Sequence, residues 1–227
     1  MDRTHSLLVR RLLTPFAAIL VALGGCAASS PAADAPTSAA QAPSAAAAAN
    51  PRILGSASAP VMIIEFTDLQ CPYCARFALQ TFPQLKAAYV DTGKLRFATR
   101  DLPLPMHSFA VPAAIAARCA GQQGKYWEFR EALFREQARL GTEPYAELAS
   151  GFGLDAERFA SCRADPAVLQ SVREDAALAA ASDIASTPSF VIGRVIDDQF
   201  EGEVIPGAQP FEVFQQRIDA LLKQAQQ

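Results

Sequence analysis

Val61-Met62-Ile63-Ile64-Glu65-Phe66 is a short apolar run rich in β-branched residues, and it reads as a buried central strand. After the turn at Asp68-Leu69-Gln70, a helix is predicted from Cys71 towards Val90, with Phe77, Leu85 and Tyr89 apolar among polar neighbours and Gly93 as its stop. Leu95 to Thr99 reads as a second strand, giving a strand–helix–strand unit. The middle of the chain has helical spacing throughout. Ser108 to Ala120 is Ala-rich, Lys125 to Gln137 carries Tyr126, Trp127, Leu133 and Phe134, and Glu143 to Ser150 is short. Asp155 and Asp165-Pro166 each supply an N-cap for a further helix, the second running to about Ile184. Strand character returns at Ser189 to Ile192. Gly193 reads as a turn and Arg194 to Val204 as a second hairpin strand, with an acidic loop at Asp197 and Asp198. Phe211, Phe214, Ile218, Leu221 and Leu222 form the apolar face of a terminal helix. The order predicts an α/β domain with one sheet and a helical subdomain inserted at approximately 105–185.

The first 50 residues carry neither pattern. Arg3, Arg10 and Arg11 precede an apolar run, Leu12 to Leu23, that is too short for a spanning helix, so residues 1–25 read as a targeting segment. The run ends at Leu23-Gly24-Gly25-Cys26, which resembles a bacterial lipobox and marks Cys26 for lipidation; cleavage as an ordinary signal peptide is the alternative. Residues 26–50 are, after Cys26, rich in Ala, Pro and Ser with one charge, Asp34, and read as a flexible spacer. The folded domain is expected at 51–227. A lipidated Cys26 would tether the protein to a membrane without spanning it, on the periplasm-facing side of a bacterial envelope, where disulfides persist. Ala27 is not an acidic retention signal, which favours the outer membrane.

Composition narrows the chemistry. The 227 residues are 51% hydrophobic, enough for a sizeable core, and carry a formal charge of −3. Loss of Met1 to Gly25 removes a net +2 and leaves about −5, with no basic stripe to meet nucleic acid. Only His5 and His107 are histidines, and His107 is read as capping or packing at a helix start, with a role near the active site as the alternative.

Cys71-Pro72-Tyr73-Cys74 directly follows a strand and opens a helix. A cysteine at a helix N-terminus meets unpaired N–H groups, which favour its thiolate, and Pro72 suits a first turn. Cys71 is therefore the expected nucleophile and Cys74 the more buried, resolving cysteine. The alternatives are half a zinc site, which lacks a second two-cysteine motif, and a purely structural bridge. A second signal is Thr187-Pro188 before a strand, 114 positions beyond Cys74 at Pro188.

Strand, Cys-Pro-Tyr-Cys at a helix start, a long helical insertion and Thr-Pro before a strand together resemble the DsbA-like branch of the thioredoxin superfamily. Pro105-Met106-His107 and Gly124-Lys125-Tyr126-Trp127 resemble it too, over roughly 51–222. The resemblance implies a thioredoxin-like fold and a cis-Pro188. It also implies that Pro72, Tyr73, Thr187 and Pro188 contact substrate. Glu65, beneath the cysteines, would relay protons to the buried thiol, with its own pKa raised by burial. Cys119 and Cys162 lie on different predicted helices; with the motif cysteines assigned to each other, these two are expected to form a structural disulfide, with two separate buried thiols as the alternative. No metal and no cofactor beyond the redox-active Cys71–Cys74 pair are expected. The expected activity is dithiol oxidation in exported proteins by a monomer, with reoxidation by a membrane redox partner. A reductase or isomerase is the alternative, though isomerase relatives carry a dimerisation domain that the 26–50 spacer does not provide. A tethered metal- or client-binding chaperone is the reading from another class.

Overall fold

The computed structural model describes residues 50–196 and 199–225. The targeting segment, Cys26 and the spacer lie outside these residues, as does the acidic loop at Asp197 and Asp198. Five strands form one sheet: β1 (Ile53–Leu54), β2 (Val61–Thr67), β3 (Leu95–Asp101), β4 (Ser189–Ile196) and β5 (Gln199–Pro206), in the order β1-β3-β2-β4-β5. The central strand β2 runs parallel to β3 and antiparallel to β4. Strand alternation places Val61, Ile63 and Glu65 on one face and Met62, Ile64 and Phe66 on the other.

The first face packs against the helical segment that follows β2 and against the terminal helix α8 (Phe211–Gln224). Phe77, Phe82, Leu85, Phe214 and Ile218 close over Val61 and Ile63 there. The segment after β2 is a string of turns: α1 (Pro72–Arg76), a π turn (Phe77–Thr81), α2 (Phe82–Leu85) and a second π turn (Lys86–Val90). Pro83 lacks an N–H and falls in the first turn of α2, just after the π turn that the Phe82 N–H closes onto the Phe77 carbonyl. The opposite face of the sheet meets α7 (Pro166–Ala181), where Phe66 packs with Ala179 and Ile184.

The insertion contains α3 (Ala110–Gly121), α4 (Tyr126–Arg135), a 3-10 turn (Gln137–Thr142), α5 (Tyr145–Gly151), α6 (Ala156–Ala164) and α7. Both predicted caps are made: the Asp155 carboxylate accepts from Arg158 N and that of Asp165 from Ala167 N, each at 2.8 Å. A disulfide joins Cys119 on α3 to Cys162 on α6. The core of the insertion, with Phe129, Leu133, Tyr145 and Phe159, extends to Leu69, Cys71 and Cys74, so the insertion walls the cysteine motif. A buried polar cluster fixes this block to the sheet. Asp175 on α7 accepts from Arg52 at 2.5 Å, Arg100 at 2.9 Å, Arg118 and the Asp101 N–H, and Arg118 also reaches Asp101.

Two local readings change. Gly193 is not a turn: β4 runs through it to Ile196, and Gly193 pairs with Gly202 of β5. A Cβ at Gly193 would lie 1.8 Å from the Glu201 carbonyl, so the glycine marks close backbone approach between strands. Ile53–Leu54, unread as a strand, pairs antiparallel with Phe97 and Ala98. Two residues are too few to show a period.

Candidate active site

The strand β2 ends at Thr67, and four residues later Cys71 occupies the position before the first helical turn, in extended conformation. Pro72 opens α1. Cys71 is 3% exposed and Cys74 is fully buried, both as free thiols. Tyr73, between them, is 57% exposed, and the Arg76 guanidinium lies over its ring. The Thr187–Pro188 bond is cis, and Cys71 Sγ lies 3.5 Å from the Thr187 carbonyl oxygen across 116 positions of chain. Thus Cys71, Pro72, Tyr73, Cys74, Thr187 and Pro188 form one locus.

The two thiols differ sharply in acidity. Hydrogen bonding from Cys74, aided by Thr187 and by the backbone of Cys74 and Tyr73, brings Cys71 down to about 5 against the opposing effect of burial. Burial pushes Cys74 well above the ordinary thiol range, and the charges of Cys71 and Glu65 push the same way. Cys71 is therefore the thiolate at neutral pH and the better leaving group; Cys74 holds its proton.

Glu65 is fully buried in β2, on the face that looks towards the helical segment. Burial raises its pKa, and Arg130 works against that rise. Arg130, on α4 and 2% exposed, donates to Glu65 Oε2 at 2.6 Å. Its guanidinium also lies 4.8 Å from the Phe134 ring centre and 5.6 Å from that of Trp127. The carboxylate in the strand is thus balanced by a cation from the insertion.

Residues 47–220 match the thioredoxin family model. The chain belongs to the thioredoxin superfamily, as a DsbA-like member. Its fold superposes on Wolbachia pipientis alpha-DsbA1 with a TM-score of 0.67 and 27% identity, covering 77% of this chain and 92% of that one. A Rickettsia bellii protein named as a protein-disulfide oxidoreductase is 25% identical, over 70% of this chain and 63% of its own length. A Na(+)/H(+) antiporter, NhaA 3 of Salinispora tropica, is 33% identical over 62% of this chain, a match that spans only 21% of the antiporter. Among the described residues of the DsbA-like chain, no helix is long and apolar enough to cross a membrane.

In this thioredoxin-superfamily site, three side chains were not singled out by sequence. Arg130 reads as an ordinary polar position on a helix. Gln137 donates from the insertion to the carbonyls of Leu69 at 2.9 Å and Cys71 at 3.0 Å, holding the motif's loop. Asp68, read as a turn residue, is 1% exposed, and His107 lies against it at 2.8 Å, so of its two readings the structure places it near the motif rather than capping a helix. The only available signal was position: Asp68 stands three residues before the motif, and His107 in Pro105-Met106-His107 was noted without a partner.

Proposed function

We propose that this chain is a thiol–disulfide oxidoreductase that oxidises dithiols in exported proteins. The acidity difference between Cys71 and Cys74 carries the reading. A thiolate held down at about 5 stabilises the reduced form of the pair, and a pair whose reduced form is stabilised is an oxidant. In the oxidised protein a substrate thiolate attacks Cys71 Sγ; the Cys71–Cys74 bond breaks and its electron pair leaves on Cys74. A second substrate thiolate then attacks the substrate sulfur of the mixed disulfide, and Cys71 leaves as a thiolate. The substrate gains a disulfide, the protein gains two electrons, and a membrane redox partner removes them.

Thr187, Pro188 and exposed Tyr73 would bound the surface that receives the substrate backbone. Cys74 leaves as a strong base, so it needs a proton; Glu65, with its raised pKa, is the group proposed to supply it. An unchanged pH profile of exchange in Glu65→Gln would remove that role. The lipobox-like Leu23 to Cys26 supports attachment to the envelope membrane through lipid at Cys26, facing the periplasm and with the outer membrane favoured. Radiolabelled palmitate incorporation that survives in Cys26→Ala would overturn it.

The deciding experiment is equilibrium titration of the Cys71/Cys74 pair against glutathione. An oxidase has a potential well above the roughly −270 mV of thioredoxin, towards the roughly −120 mV of DsbA. A value near −270 mV would make the chain a reductase.

A further inference from the structure

Asp68 touches both cysteines through its main chain. Its carbonyl accepts from Cys71 N at 3.0 Å, and its N–H points at Cys74 Sγ at 3.5 Å. Its side chain is buried and fully engaged. Oδ1 accepts from Gln70 N at 2.7 Å; Oδ2 accepts from Leu104 N at 2.8 Å and meets His107 Nδ1 at 2.8 Å. The carboxylate thus clamps the loop before the motif to the loop after β3. A carboxylate oxygen accepts, so in this contact His107 Nδ1–H is the donor to Oδ2.

We infer that the Asp68–His107 pair is a positioning device for the Cys74 sulfur: it holds the Asp68 N–H where negative charge arrives when Cys74 is expelled. The donor sits at the right atom for that step. In the first exchange the Cys71–Cys74 bond breaks and both its electrons go to Cys74 Sγ, which is fully buried and meets this backbone N–H. A donor fixed before the charge develops need not reorganise during the step, and a bond to a charged sulfur is stronger than one to a thiol. The N–H is fixed because the residue that carries it is clamped through its side chain. His107 is the outer end of the clamp; its side chain is 18% exposed, and it neighbours Met106, which is 74% exposed. The second exchange, in which Cys71 leaves, does not use this donor.

This inference rests on the thiol–disulfide reading, and the experiment separates the two. The oxidised protein is mixed with reduced glutathione, and quenched samples are followed for loss of the Cys71–Cys74 bond. In a second reaction, preformed Cys71–glutathione mixed disulfide, in a Cys74→Ala background, is attacked by excess glutathione, which expels Cys71. If neither reaction proceeds with His107 intact, the proposed function fails. With the wild type active, His107→Ala is expected to slow Cys74 expulsion about tenfold, equivalent to about 1.4 kcal/mol, and to leave Cys71 expulsion within twofold. His107→Asn, whose side-chain amide can take the place of Nδ1–H, restores the first rate. Equal slowing of both steps, no slowing of either, or failure of His107→Asn to recover while its thermal midpoint matches the wild type would overturn the positioning role.

Discussion

Removing Arg130 tests whether Glu65 is a buried charge held by one cation. Arg130→Met keeps an apolar chain of similar length against Phe82, Trp127 and Phe134 but leaves Glu65 with no counter-ion inside β2. Stranding one member of a buried pair costs about 3–5 kcal/mol, a large share of the roughly 5–15 kcal/mol that stabilises a domain. The variant can escape part of this cost by protonating Glu65, so the loss depends on pH. Glu65 titrates above the ordinary carboxylate value in the folded state, and without Arg130 it is pushed higher. Between the unfolded and folded values the native state binds the extra proton, so stability falls as pH rises through that window. The expected slope is at most about 1.4 kcal/mol per pH unit. Glu65→Gln is expected to cost less, because the stranded guanidinium keeps its aromatic neighbours. Glu65→Gln with Arg130→Met is expected to lie within about 1.5 kcal/mol of the wild type, since exchanging a whole buried pair for neutral groups is often neutral. The assay is urea unfolding from pH 5 to pH 8 on all four proteins, with Cys71 and Cys74 held as a disulfide so that neither thiol titrates. A flat profile for Arg130→Met, with a loss under 1 kcal/mol at pH 7, would refute the argument.

Three further predictions concern other parts of the molecule. The thiolate absorbance of the reduced protein is expected to titrate with a midpoint about 5, and Cys71→Ser abolishes that transition; because this folded value is depressed, the stability it gives the reduced form is present above the ordinary thiol range and is lost as pH falls through about 5. Replacing Cys119 and Cys162 together by alanine opens a link across 43 positions and is expected to cost up to about 4 kcal/mol on loop entropy, measured as a fall in urea midpoint, with the Cys71 titration unmoved. Gly193→Ala drives a methyl into the Glu201 carbonyl of the partner strand and is expected to destabilise by about 3 kcal/mol or more, read from the thermal midpoint; an unchanged midpoint would mean that the β4–β5 pairing tolerates separation.

Much of the framework was legible because it obeys local rules. Val61 to Phe66 declares a central strand by its unbroken apolar run, and Asp155 and Asp165 announce helix starts through their own side chains. The cysteine motif and Thr187-Pro188 were legible as a combination, each weak without the other. What sequence did not disclose are pairings between distant, individually ordinary residues. Glu65 looked anomalous only because its partner, Arg130, lies 65 positions away on another element. Asp175 looked like one more helical acid, yet it gathers three arginines from across the fold. Gly193 misled for the converse reason: glycine commonly signals a turn, and here the approach of a neighbouring strand demands it. Patterns of period two or 3.6 report which face is buried. They do not report which charged groups meet inside.

The 116 positions between Cys71 and Thr187 bear on when this site is complete. Acidity at Cys71 is only in part a local property: the largest contribution comes from Cys74, three residues on, but Thr187 adds to it from beyond the whole helical insertion. A chain that has not yet closed back on itself can form the Cys71–Cys74 turn but lacks the contribution from Thr187. The full acidity of Cys71 arrives only with that long-range closure. The site therefore reports its own completion: in an unfinished molecule Cys71 is less of a thiolate, and to that extent slower in disulfide exchange, than in the folded domain.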